Sequence, residues 1–186
     1  MMKSSRLYHM VLAGVLCAVG IVVPMFMPRI VLGPMSFTLA SHVAVFLGMF
    51  ISPAVAVAVC IGTTLGFFLT TPAIIALRAA SHIVFAGLGA LYLKKHPDTI
   101  DRPVASTVFN FVIALMHAAA EMLIVTPFFM SGALFTPEQL ANGFVASVVL
   151  LVGVGTVIHS MLDYSISILV WKPLCTAMPQ LRTSQD

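Results

Sequence analysis

The chain has 186 residues, of which 60% are hydrophobic and 8% charged, and its mean hydropathy is +1.09. A water-soluble domain carries roughly 25% charged residues to clothe its surface, so this composition excludes a soluble enzyme, a nucleic-acid binder and a disordered regulator. The net charge of +3 comes from basic residues that form no run, so no nucleic-acid partner is implied.

The length suits about six membrane spans of roughly 20–25 residues with short connections. After Lys3 and Arg6, an apolar run over residues 7–27 is long enough to cross and reads as a retained first span rather than a cleaved signal. Residues 28–38 contain Pro28, Gly33 and Pro34, which break a helix, yet are mostly apolar. This segment is expected to fold back over one face as a lid-like first loop, with Arg29 in it. The second span is expected over 39–51, a tight turn at Ser52-Pro53, the third span over 54–69, a break at Thr70-Thr71-Pro72 and the fourth span over 72–93.

The hydrophilic loop 94–102 precedes a fifth span over 103–126. A second polar stretch follows, in which Thr136-Pro137 has the form of a helix start. The sixth span covers 140–171, and Trp171-Lys172 fits an interfacial anchor. The expected fold is an all-α membrane protein of six transmembrane helices forming a single integral domain.

Orientation follows from short-loop Lys and Arg. Lys3, Arg6, Lys94, Lys95, Arg102, Lys172 and Arg182 fall on one side and Arg29 on the other. Both termini are therefore expected in the cytoplasm. Cys17, Cys60 and Cys175 lack CxxC spacing, so neither a disulfide framework nor a zinc knuckle is suggested. The chain has no P-loop, so ATP hydrolysis by that route is not its own.

Polar residues inside the spans carry the functional question, since a central charge costs at least roughly 2.5–3.5 kcal/mol. They are His42, Arg78, His82, Asn110, His117, Glu121, His159 and Asp163. Arg78 and His82 lie four apart, as do His117 and Glu121, so each pair shares a helix face. With His42 they converge by depth on the outer half of the bundle. His159 and Asp163, also four apart, and Asn110 read as deeper.

One reading is a polar pocket in which Arg78 takes a carboxylate or phosphate and the histidines and Glu121 hydrogen-bond a small heterocycle. The structural reading has Arg78 pairing with Glu121, and the i,i+4 pairs and Asn110 joining helices. Two His-x-x-x-acid pairs could also supply N and O ligands to a transported divalent metal. Their different depths and the nearby Arg78 oppose this, so no metal site is assigned. Ala13, Gly14, Cys17 and Ala18 form a small-residue stripe on the first span, suited to close helix approach. The Gly62 and Gly66 face of the third span suits internal packing, and Met25, Phe26, Met27, Phe67 and Phe68 could wall a pocket.

Six spans in a chain this short, a punctuated apolar first loop, the stripe on the first span and the segment Gly33 to Pro72 together resemble the substrate-binding S component of an energy-coupling factor (ECF) vitamin transporter. Ala40-Ser41-His42 and Leu77-Arg78-Ala79-Ala80-Ser81-His82 look most like the niacin-specific members. The resemblance implies a non-enzymatic vitamin-binding subunit of the prokaryotic plasma membrane with no cofactor of its own. It further implies a lid over the substrate, a membrane coupling subunit docked on the Ala13, Gly14, Cys17 and Ala18 surface, and two ATPase subunits that hydrolyse ATP. S components for pyridoxine-type compounds, pantothenate or riboflavin, and a stand-alone secondary transporter for a divalent metal or proton-coupled solute, are the alternatives.

Overall fold

The computed structural model describes residues 2–32 and 35–183. The Gly33-Pro34 corner, the side chains of Lys3 and Arg182, and Asp186 lie outside what is described. Helix α1 spans Met2–Phe26, and its 25 residues rise about 37 Å, enough to cross a hydrocarbon core of about 30 Å. Pro24 lies inside the last turn of α1, where it leaves the Gly20 carbonyl without its helical N–H donor shortly before the helix ends. Leu7, Met10, Val11, Val15 and Val22 are exposed on its outer side and suit contact with lipid.

The other side of α1 packs on α3 (Pro53–Thr70). A Cβ at Gly62 would lie 2.3 Å from the Cys17 sulfur, one at Gly66 2.3 Å from Ile21, and one at Gly20 2.6 Å from the Thr63 methyl. Glycine at these positions lets the two backbones meet, which gives the Gly62 and Gly66 face its internal-packing role. The small-residue stripe is thereby divided. Ala13 is buried and Cys17 half-buried, whereas Gly14 and Ala18 are exposed on the other side of the helix.

The punctuated connection is ordered as a hairpin. Strands β1 (Arg29–Leu32) and β2 (Met35–Thr38) pair antiparallel, with Arg29 opposite Thr38 and Leu32 opposite Met35. β1 is exposed along its length, while Met35 and Thr38 of β2 are buried. The aromatic ring of Phe37 covers Gly155, where a Cβ would come within 2.6 Å of it. The hairpin thus sits on one end of the bundle.

The expected second span is the shortened helix α2, Val43–Ile51, which is buried at every residue. Its nine residues rise only about 14 Å, too little to cross alone. Among the described residues, five helices are long and apolar enough to cross: α1, α3, α4 (Ala73–Lys95), α5 (Pro103–Met130) and the continuous rod Val145–Ala177. That rod begins as a π-helical segment, Val145–Val154, and continues as α7, Gly155–Ala177.

The turns follow their residues. Ser52 ends α2 and caps α3, accepting from the Val55 N–H at 3.3 Å, with Pro53 in the first turn. Thr136 begins the short helix α6 (Pro137–Ala141) with a full capping box, its hydroxyl accepting from the Gln139 N–H while Gln139 accepts from the Thr136 N–H.

Because α1, α3 and α5 run toward the hairpin and α4 and α7 away from it, the start of α1 and the end of α7 both lie at the opposite end. An aromatic core fills the bundle below the hairpin end. Phe46, Phe50, Tyr164 and Trp171 meet edge to face or nearly so, with centroids 5.4–5.6 Å apart. Trp171 is only 3% exposed, so it is a core residue and not the interfacial anchor its place beside Lys172 suggests. Its ring is turned inward because Phe50 of the buried α2 offers an aromatic partner.

Candidate ligand-binding site

Beneath the hairpin lies a cavity of about 290 Å³, at the small end of the roughly 300–1,000 Å³ common for ligand pockets. Its polar lining includes Arg29, Ser41, His42, Arg78, His82 and Glu121. Met25 and Phe67 supply apolar wall, as their sequence position allows, while Phe26 and Phe68 are exposed away from it. The polar groups come from four parts of the fold. Arg29 is on the hairpin, His42 leads into α2, Arg78 and His82 are on α4 and Glu121 is on α5.

Glu121 is the hub of one half of the site. Its Oε2 accepts from Arg78 Nη2 at 2.9 Å and from the Thr156 hydroxyl at 2.7 Å. Its Oε1 lies 3.4 Å from His117 Nε2 and 3.6 Å from His82 Nε2. Arg78, His82, His117 and Glu121 are all buried. A charge in such surroundings persists only when paired and hydrogen-bonded, and the Arg78–Glu121 bond meets that requirement.

Asp163 is the hub of the other half. Its two oxygens accept from the Ala40 N–H at 2.8 Å, the His42 N–H at 2.9 Å and His42 Nδ1 at 2.9 Å. The Ser41 hydroxyl bridges to His159 Nε2 at 3.2 Å. The backbone bends to make these bonds: Ala40 has φ +63°, a left-handed conformation that alanine rarely adopts. Asp163 thereby ties the segment between the hairpin and α2 to α7, and the neighbouring Ser41 hydroxyl adds a local contact to His42 Nδ1 at 3.3 Å.

The two halves meet at the histidines. The His42 ring lies 4.7 Å from those of His82 and His117 and 4.9 Å from that of His159, and His82 lies 4.8 Å from His117. His159 and Asp163 are therefore level with the other polar residues, not deeper as counting along the last span suggests. That span begins beyond its neighbours at the hairpin end, and its π-helical start fits extra residues into each turn. Asn110 does stand apart. Its Nδ2 donates to the Met161 carbonyl at 3.3 Å, joining α5 to α7 away from the cavity.

Thr156, Ser41 and the backbone of Ala40 complete the site without having been singled out as site residues from sequence. Thr156 had a signal: Thr156, His159, Ser160, Asp163 and Ser167 recur at helical spacing on one face of the last span, and all are buried. The conformation of Ala40 had none, since alanine does not mark a left-handed turn.

The chain is 36% identical over 179 residues to the niacin transporter NiaX of Lactococcus lactis subsp. cremoris (strain MG1363), a match covering 95% of this chain and 79% of that protein. No family model and no solved structure matches the chain. Identity at this level over nearly the whole length means that the chain belongs to the NiaX family, the niacin-type S components of ECF transporters.

Proposed function

We propose that this S component binds nicotinate in the cavity under the hairpin, with Arg78 holding the carboxylate and the histidine cluster receiving the ring nitrogen. The observation that carries the reading is the buried Arg78 guanidinium at a small cavity in a chain related over its length to a niacin transporter. The bond to Glu121 orients that guanidinium, whose planar fork carries five N–H donors and matches a carboxylate. A neutral amide in the same position gains less from the charge. The cavity is too small for a large multi-ring vitamin and suits a single aromatic ring.

In this reading the hairpin faces the exterior and closes the site, α2 with the hairpin makes the second crossing, and both termini are cytoplasmic. The exposed Gly14 and Ala18 face of α1 receives the membrane coupling subunit, and two ATPase subunits supply the energy. Substrate capture needs no chemistry from this chain, so it acts as a binding subunit and not as an enzyme.

Calorimetric titration of the purified chain with a vitamin panel tests the reading. Nicotinate is expected to bind with sub-micromolar affinity and nicotinamide more weakly. Absence of tight binding to any vitamin overturns it. Uptake in cells lacking the coupling and ATPase subunits separates it from a stand-alone transporter, because full uptake there excludes dependence on an ECF module.

A further inference from the structure

We propose that His42, His82 and His117 form a binding site for a divalent transition-metal ion at the floor of the cavity, and that the ion's remaining coordination position takes the ring nitrogen of the ligand. The second half of this proposal rests on the vitamin-binding reading above; the first half does not.

Each of the three side chains offers a ring nitrogen, and the three atoms lie within 4.8 Å of one another. A tetrahedral ion with M–N bonds of about 2.0–2.1 Å needs neighbouring ligands roughly 3.3 Å apart, which rotations of these side chains by an ångström or so provide. The set is purely imidazole, which suits zinc, nickel, copper or iron(II) and not magnesium or calcium. His42 and His82 line the cavity, so an ion between them borders the space a ligand enters.

His117 gives the independent sign. It is wholly buried, its Nδ1 has no hydrogen-bond partner, and its Nε2 stands 3.4 Å from Glu121 Oε1 without forming a hydrogen bond. Buried polar groups in folded proteins are satisfied as a rule, and one left without a partner is costly. A phenylalanine or leucine would fill that space without the cost. Binding an ion satisfies this ring and uses its neighbours at the same time.

The surroundings have the form of a metal site's outer layer. His42 Nδ1 is held by Asp163, which fixes the ring and leaves the other nitrogen to ligate. The Nε2 atoms of His82 and His117 lie 3.6 and 3.4 Å from Glu121 Oε1, so this carboxylate stands beside the imidazoles as an outer partner. The alternative triad of His42, His159 and Asp163 is less suited, since Asp163 already accepts four hydrogen bonds from Ala40, Ser41 and His42.

With neutral imidazoles the buried Arg78, Glu121 and Asp163 sum to −1 and the exposed Arg29 in the cavity lining adds +1, so a divalent ion leaves a net positive charge for an anionic ligand to offset. Arg78 does not exclude the ion, because Glu121 lies between its guanidinium and the histidines and is bonded to it at 2.9 Å.

The test uses the full chain, purified in detergent with a tag free of histidine and stripped with a chelator. Co²⁺ is titrated and followed by calorimetry and visible absorption. The expected result is a single Co²⁺ per chain, displaced by Zn²⁺, with about tenfold or greater weakening in His82→Gln and in His117→Gln and none in His96→Gln. Thermal unfolding of each variant shows that it is folded, and use of two variants guards against failure of one. Nicotinate is expected to shift the cobalt spectrum and to bind about tenfold or more weakly after chelation. No stoichiometric ion, or an ion retained unchanged in both variants, overturns the metal site. Nicotinate affinity indifferent to chelation overturns the bridging role. An ion bound without any vitamin binding supports the metal site and overturns the vitamin reading.

Discussion

Glu121 governs the charge balance of the site. Replacing it with glutamine keeps its size but leaves the Arg78 charge without its anionic partner in a buried setting. Breaking a buried pair in this way costs about 3–5 kcal/mol. Thr156→Val removes one hydrogen bond to the same carboxylate and should cost about 1.5–3 kcal/mol. Chemical unfolding in mixed micelles checks both, and the expected order is Glu121→Gln worse than Thr156→Val. If Arg78 holds the carboxylate as proposed, Arg78→Ala should lower nicotinate affinity more than about tenfold, or 1.4 kcal/mol, and nicotinamide binding less. Unchanged nicotinate affinity by calorimetry would remove Arg78 from the site. These residues were legible because helical spacing assigns side chains to faces: Arg78 with His82 and His117 with Glu121 had to point together. The hydrogen bonds that Asp163 gathers from Ala40, Ser41 and His42 were not legible. They depend on the backbone of Ala40 and on a contact spanning more than a hundred residues, neither of which leaves a mark in local pattern.

At the scale of elements, α1 has two faces with different work to do. Its inner face meets α3 and α2 at Gly20, where an added Cβ would press on the Thr63 methyl at 2.6 Å and the Ala44 Cβ at 3.1 Å. Thr63 is β-branched and stiff, so Gly20→Ala should lower stability by about 1–3 kcal/mol through overpacking. Its outer face carries Gly14, where a Cβ meets nothing within 4 Å. Gly14→Leu should therefore leave thermal unfolding and vitamin binding unchanged but impair uptake with the complete ECF module, a split that transport and binding assays on one variant reveal. Long helices were readable from their apolar lengths, and the Thr136 and Ser52 caps from their residue types. The hairpin and the shortened α2 were not, because an apolar run bounded by Gly and Pro has the same composition whether it forms a strand, a short buried helix or a span. What settled α2 was burial on all sides, a property of the assembled bundle.

At the scale of the whole molecule, the buried polar cluster and the basic loop residues lie toward opposite ends, and that asymmetry predicts how the chain sits in the bilayer. Lys94 and Lys95 close α4, Arg102 precedes α5 and Lys172 lies near the end of α7, all at the end away from the hairpin. Short basic segments stay on the cytoplasmic side, so the hairpin and the cavity beneath it should face outward, where a nutrient arrives. Cysteine labelling checks this in intact cells. The native Cys60 and Cys175 are buried and Cys17 is half-buried, so replacing all three removes the background. A single cysteine is then placed at Ile30, 62% exposed on β1, or at Lys95, exposed at the end of α4. Ile30→Cys should react with a membrane-impermeant maleimide in intact cells, and Lys95→Cys only after permeabilisation. The reverse pattern would turn the cavity toward the cytoplasm, where it could not capture an external vitamin, and the importer reading would fail even if nicotinate bound tightly in detergent.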